Sequence, residues 1–253
     1  MYKLILPVFL LLTTHLLSQH YITFGIGVSF GYLDSPKLSL FNETYNNVNQ
    51  AGLERPLKGF NGIEGLRWEI GYRYVQNFIL GLTGGYQSFQ GTDFAKYYNK
   101  ESREVELDNS SFFLEPVGGI KIRKILLSGF LTFHFKRETK LTTAYFGPIE
   151  DIPTKSLNGE YTTRSSSSID IGASIGFIYA IFMFTGRIAY PIYTGGSENQ
   201  LRDPHPQKIE DGIDIFPDDY VKYLNFEDYE GVRSNIDGFK IILSVSFALK
   251  IKD

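Results

Sequence analysis

Apolar side chains return at every second position in eight separate stretches of the chain. In YITFGIGVSFGY (21–32), Ile22, Phe24, Ile26, Val28, Phe30 and Tyr32 share one face, while Thr23, Gly25, Gly27, Ser29 and Gly31 share the other. That period of two is the mark of a strand with one apolar and one polar or small face. It recurs in EGLRWEIGYRY (64–74), FILGLTGGYQ (78–87), FFLEPVGGIKIR (112–123), LLSGFLTFHFK (126–136), SIDIGASIGFI (168–178), IFMFTGRIAYP (181–191) and GFKIILSVSFALK (238–250). Each stretch is near the 9–11 residues, roughly, that a tilted strand needs to cross a bilayer.

The connections separate a soluble sandwich from a membrane barrel. Short links fall near Val75–Asn77, around Lys124 and at Tyr179–Ala180. They alternate with long ones at Leu33–Ile63, Phe89–Ser110, Arg137–Ser168 and Ile192–Ile236. Strict short–long alternation over an even strand count predicts an all-β fold: an eight-stranded antiparallel transmembrane up-and-down β-barrel. Its turns would be short and periplasmic, its long loops extracellular. A sandwich would rarely gather its long loops at one end or turn Phe, Ile and Leu outward on every strand.

The register predicts what fills the barrel. With eight strands the interior is just wide enough for side chains. Simple alternation aims Arg67, Glu69, Arg73, Glu115, Lys121, Arg123, Lys136, Asp170, Arg187 and Lys240 inward among Gly, Ser, Thr and Ala. Charges confined there must pair with one another, because an unpaired buried charge costs several kcal/mol. Aromatics predict two interfacial girdles: Tyr21, Tyr72, Tyr74, Phe78 and Tyr179 at the short turns, and Tyr32, Tyr86, Phe112, Phe135 and Tyr190 at the long loops. Pro116, lacking an N–H, predicts a bulge or distortion in the fourth strand.

The first residues, MYKLILPVFLLLTTHLLSQ, place Lys3 before an apolar run that ends near Ser18, the layout of a secretory signal peptide over residues 1–18. Residues 19–253 then form the barrel domain. The apolar run is too short for a spanning helix. No Cys means no disulfide framework, thiolate zinc site or Cys nucleophile. A formal charge of −3 leaves no electrostatic footprint for nucleic acid.

Signal peptide, eight strands, long loops and the stretch FNETYNNVNQAGLERPL (41–57) together resemble the small eight-stranded outer-membrane barrels of the Bacteroidota, of the OmpA-like and PorT-like kind. The resemblance spans essentially the mature chain and rests on pattern rather than fixed residues. It implies a bacterial outer-membrane location and the barrel fold, and it brings no catalytic residues. Many proteobacterial barrels end on an aromatic residue, whereas this chain ends FALKIKD, with Phe247 seventh from the end.

Function is then sought in the loops. Between Ile192 and Ile236 stand ten acids against four bases, a local charge of −6, interleaved with aromatics. Asp218, Asp219, Tyr220, Tyr223, Phe226, Asp228 and Tyr229 form the candidate partner-binding surface, since aromatics are enriched at interfaces. The alternative is a loop folded over the barrel mouth with its own small core. DGIDIFPDD lacks the ligand spacing of an EF-hand calcium loop. In the first loop, Phe41, Tyr45 and Val48 recur at helical spacing, with Gly52 and Pro56 as stop signals, which predicts a capping helix.

An enzyme of the lipid-modifying kind needs a His beside a Ser and an acid. His134 points inward with Thr132 on its face and no Ser two positions away, Ser128 lying further down the strand, and no catalytic set emerges. No phosphate loop, zinc spacing or dinucleotide fingerprint is present, so neither cofactor nor metal is expected. The expected role is a structural or interaction protein, an accessory subunit or scaffold of an envelope complex for secretion or nutrient uptake. Its expected partners are outer-membrane lipid and other envelope proteins. A narrow pore or small-ligand barrel is the first alternative and a lipid-modifying enzyme the second.

Overall fold

The structure, a computed structural model, describes residues 19–32, 36–60, 62–147, 159–162, 166–194 and 238–252. Eight long strands form the wall: β1 (Gln19–Gly31), β3 (Ile63–Val75), β4 (Phe78–Tyr97), β5 (Ser102–Ile122), β6 (Ile125–Phe146), β8 (Ser166–Tyr179), β9 (Phe182–Tyr193) and β10 (Lys240–Lys252). Every neighbouring pair is antiparallel, and β1 pairs with β10 from His20↔Lys252 to Gly31↔Lys240, which closes the ring. Closure satisfies the backbone polar groups within the wall, the condition for a sheet to cross hydrocarbon. The chain is thus a transmembrane up-and-down barrel, with short turns at one end and long connections at the other.

The outward face of the spanning part is apolar, as its alternation requires. Phe24, Ile26, Leu66, Ile70, Leu82, Ile175, Leu243 and Phe247 are all exposed, and Trp68, mid-strand, is 59% exposed. The girdles form, with Tyr86–Phe112 and Phe112–Phe135 in ring contact at the long-loop end and Tyr74–Phe78 at the short-turn end. Tyr21 departs from its expected place. It shares the inward parity of Thr23 and Gly25, which carries its ring into the lumen, where it is buried. Pro116 brings the expected distortion without a bulge. The β5–β6 ladder skips Glu115 and Pro116 and resumes at Val117↔Phe130 in the register it held at Leu114↔Phe133.

The bulge lies further up, and it matters. Between Ser110/Phe112 on β5 and His134/Arg137 on β6 the register slips, with Lys136 in a left-handed conformation (φ 49°). One extra residue on β6 leaves Phe135 and Lys136 both facing out and moves the inward set from Thr132 and His134 to Arg137, Thr139 and Leu141. Simple alternation places Lys136 inward, and the bulge is why it is exposed.

Beyond the bulge the sheet continues. The stretch Phe89–Ser110, expected as a loop, is instead the paired upper half of β4 and β5, turning tightly near Tyr98–Glu101. Here the polarity of the two faces inverts. Phe89, Ala95, Tyr97, Val105, Leu107 and Leu141 face inward and are buried, while Gln90, Thr92, Glu104 and Glu138 face outward. The inward apolar face packs against helix α1 (Pro36–Asn49), the helix expected in the first loop, through Leu38, Phe41 and Tyr45. Val48, expected on that stripe, is exposed instead.

Polar contacts lock this platform together. Asn46 Nδ2 donates to Leu57 O and the Leu57 N–H donates back to Asn46 Oδ1, both at 2.8 Å. The Asp93 carboxylate accepts the N–H groups of Lys58 (2.7 Å) and Gly59 (2.9 Å) and an ion pair from Arg55 (3.3 Å). Gly59 adopts φ +83°, and a Cβ there would come within 2.9 Å of Asn42 Nδ2. Short strand β2 (Leu53–Arg55) pairs with β4, and β7 (Gly159–Thr162) pairs with β6. The Tyr45 hydroxyl bonds Tyr97, and burial followed by that contact raises its phenol above the ordinary range.

Replacing Tyr45 with Ala is expected to cost the platform about 3–5 kcal/mol, as for other large buried rings. Hydrogen exchange should quicken across 36–60 and 89–107 while the barrel keeps its heat-modifiable gel mobility. Unchanged exchange in those segments would refute the packing described.

Candidate functional site

The lumen is built in layers, each dictated by which inward residue a strand supplies at that height. Nearest the short turns, Tyr21, Val75, Ile79, Leu126, Met183 and Ala248 make an apolar layer across the bore. Inward positions in the spanning part had been expected to be small or charged. The tight turns place strand ends here, and apolar ends close the mouth without any unsatisfied polar group.

Above it lies the charged layer. Glu115, fully buried, accepts Arg67 Nη2 at 2.8 Å and the Thr132 hydroxyl at 2.9 Å, and ion-pairs with Arg187 Nε at 3.4 Å. Glu69 accepts Arg67 Nε at 3.2 Å, Arg187 Nη2 at 3.0 Å and the Ser246 hydroxyl at 3.1 Å. Arg187 also donates to Ser244 Oγ at 2.8 Å. Arg67 lies 3.6 Å above the Phe113 ring. That ring fits only because position 85 is glycine: a Cβ there would come within 2.8 Å of Phe113 Cζ. In low dielectric such bidentate, shared geometry is what offsets the desolvation of both partners.

The expected lumenal set is therefore largely assembled, with exceptions. Arg73 is buried two inward positions nearer the short turns than Glu69, but forms no direct ion pair among the described residues. Lys121 keeps inward parity yet sits at the mouth, half-exposed, and joins no ion pair among the described residues. Arg123 stands in the β5–β6 turn and is exposed. Both corrections have one cause: the strand ends there, and alternation no longer implies enclosure.

The third layer is centred on His134. Asp170 Oδ2 accepts Lys240 Nζ at 2.7 Å and His134 Nε2 at 3.0 Å. In the tautomer that donates Nε2–H to Asp170, Nδ1 is an acceptor, facing Ser111 Oγ at 3.2 Å and Gln87 Nε2 at 3.3 Å. Serine, histidine and aspartate are thus hydrogen-bonded in line, contrary to the expectation that His134 has no serine within reach. Ser111 lies one residue before the apolar alternation that starts at Phe112, and it shares the inward parity of Phe113 and Glu115. Gln87 Oε1, Ser168 Oγ and Asp170 Oδ1 are buried nearby with no hydrogen-bond partner, positions suited to internal water. Ser111 itself is 1% exposed, so the alignment is enclosed.

The candidate partner-binding residues Asp218, Asp219, Tyr220, Tyr223, Phe226, Asp228 and Tyr229 lie outside the described residues, as does the expected signal peptide. Among the described residues no group of acids and histidines has the geometry to hold a metal ion.

No family model matches the sequence, and no curated protein does. Solved structures do align. The attachment invasion locus protein Ail of Yersinia pestis, in complex with the heparin analogue sucrose octasulfate, is 12% identical with a TM-score of 0.43, covering 92% of this chain and 99% of its own. The outer membrane protease OmpT of Escherichia coli is 10% identical (TM-score 0.41; 92% and 96%). The outer membrane protein OprG of Pseudomonas aeruginosa is 9% identical (TM-score 0.41; 92% and 97%).

Glu115→Ala leaves Arg67 and Arg187 to share Glu69 alone in an enclosed lumen, and is expected to destabilise the refolded barrel by about 3–5 kcal/mol. Lys121→Ala is expected to stay within about 0.5 kcal/mol. Urea unfolding in lipid vesicles measures both, and equal effects would contradict the layered lumen.

Proposed function

We propose that this chain is a closed barrel of the bacterial outer membrane, with its long connections outside, that serves as an accessory subunit or scaffold of an envelope complex. The observation that carries this reading is the pairing of a blocked lumen with a folded platform. Two ion-paired carboxylates and an apolar layer cross the bore. At the other end, the sheet extends past the girdle and carries its own buried core around α1. A barrel used for passage needs an open axis. One used for display needs a rigid stalk and a structured head. The resemblance to the Bacteroidota barrels and the acidic, aromatic segment before β10 support the same reading, the latter as the partner-docking surface.

The Ser111–His134–Asp170 alignment favours a second reading, a lipid-modifying enzyme, which requires substrate to enter beneath the platform. In that case His134→Ala abolishes turnover while the barrel still folds.

The test is a gentle-detergent pull-down of the tagged full chain from its native membrane, with bilayer conductance measured on the same preparation. A stoichiometric partner that is lost on deleting Ile209–Glu230, with no single-channel steps, is the expected outcome. Discrete conductance steps, or recovery of the barrel alone, would overturn the scaffold reading.

A further inference from the structure

The charges at the two ends of the barrel are not alike. Around the short turns the described residues carry Lys121, Arg123, Lys124 and Lys250 and no carboxylate. Three of these cations sit within four residues at the β5–β6 turn. Arg123 is held in a left-handed conformation (φ 57°), and both it and Lys124 are exposed. At the platform end acids and bases intermingle, with Lys96–Glu54 and Lys140–Glu160 already paired.

Beside this cationic turn an apolar groove begins on the outer wall. Ile125, the residue after Lys124, pairs with Phe177 of β8, and Phe177 stacks on Phe184 of β9 at 4.9 Å between ring centroids. From there a groove of about 790 Å³ runs obliquely across β9, β10 and β1 to Trp68 on β3. Its walls include Ile175, Phe184, Leu243 and Val245, and its floor opens at Gly186, the one outward-facing position there without a side chain. Five adjacent strands span about 19 Å at the usual strand spacing, the reach of a long acyl chain.

We propose that this turn and groove form a binding site for an anionic phospholipid. The phosphate lies against Lys121, Arg123 and Lys124, and one acyl chain follows the groove toward Trp68. The inference rests on the membrane location proposed above and adds a ligand class to it. Charge complementarity selects the headgroup: three cations without a described carboxylate near them attract a net-negative lipid over a zwitterionic one, each contributing on the order of 1 kcal/mol near a charged surface. The gap at Gly186 selects the chain. A Cβ there would lie 3.6 Å from Leu243 Cδ2 and 3.8 Å from Ile175 Cγ2, so the position tolerates a side chain, and a larger one fills the groove without disturbing the wall.

Trp68 is the only tryptophan in the chain, which gives a local readout. The full chain, refolded into phosphatidylcholine vesicles, is titrated with phosphatidylglycerol brominated on its acyl chains, and in parallel with brominated phosphatidylcholine. Half-quenching of Trp68 is expected at about fivefold lower mole fraction of the anionic lipid. The preference should vanish in Lys121→Ser/Arg123→Asn/Lys124→Ser, where Asn keeps the left-handed turn accessible, and independently in Gly186→Leu. Excess inorganic phosphate should not restore fluorescence, since the chain as well as the headgroup is held. Equal quenching by the two lipids overturns the site while leaving the membrane location intact. A preference that survives Gly186→Leu overturns it too, by reducing it to surface charge. Absence of quenching by either lipid overturns the membrane location and the site with it.

Discussion

The contact on which everything else depends is the pairing of β1 with β10. In hydrocarbon an open sheet edge leaves a row of N–H and C=O groups with nothing to bond, each costing several kcal/mol, so the first and last strands must meet. They do so over the whole length of both. Close approach of small inward residues on these strands, Gly25 beside Ser246 and Gly27 beside Ser244, lets the seam run without steric conflict. Once eight strands close, the bore is fixed at a width that side chains fill. The lumen then holds no bulk water, and any charge placed there must find its counter-charge inside the protein.

The same constraint explains the inversion of polarity along β4, β5 and β6. Within the bilayer, the solvent of the outer face is lipid and that of the inner face is the polar lumen. Past the girdle, water replaces lipid outside and α1 replaces the lumen inside. The strands respond by exchanging faces: β5 shows Leu114 outward below and Leu107 inward above. On β6 the exchange coincides with the bulge at Lys136, which lets Phe133 and Phe135 meet lipid and Leu141 meet the helix core. Two environments on one strand thus leave two phases in its sequence.

That inversion marks what was legible in the sequence. The eight spanning strands, the turns between them and the inward placement of Arg67, Glu69, Glu115, Asp170, Arg187 and Lys240 follow from period two alone, because lipid outside and a filled bore inside impose it. The upper halves of β4 and β5 were not legible as strands. Their outer face meets water, so the apolar residues that would mark them lie on the inner one. Ser111 was lost with them, and the His134 alignment with it. Lys136 and Val48 depart from expectation for a different reason. A bulge or a helix rotation shifts a side chain by one position, and nothing in a residue's own identity announces it. Which strand's glutamate meets which strand's arginine was likewise beyond reach, since that depends on register across the bore.

Register is where the buried charges have their clearest physical use. A one-residue slip between strands flips every side chain to the wrong face and is forbidden by alternation. A two-residue slip is not: lipid would still meet apolar residues and the lumen polar ones. Hydrophobicity alone therefore leaves a ladder of near-equivalent barrels. The charged layer removes that degeneracy. Arg67 and Glu69 on β3, Glu115 on β5, Thr132 on β6, Arg187 on β9 and Ser246 on β10 converge on two carboxylates. The layer above joins Gln87 on β4, Ser111 on β5, His134 on β6, Asp170 on β8 and Lys240 on β10. Together they engage every wall strand except β1, which the closing seam already fixes. Slipping β3, β5, β8, β9 or β10 by two residues strands at least one buried ion, at a cost of several kcal/mol, and slipping β4 or β6 breaks the hydrogen bond between Gln87 and His134. Buried ion pairs add little stability over a well-packed apolar core, and their contribution here is to single out one barrel among the alternatives. The platform above inherits that uniqueness, because its sheet is the continuation of the same three strands.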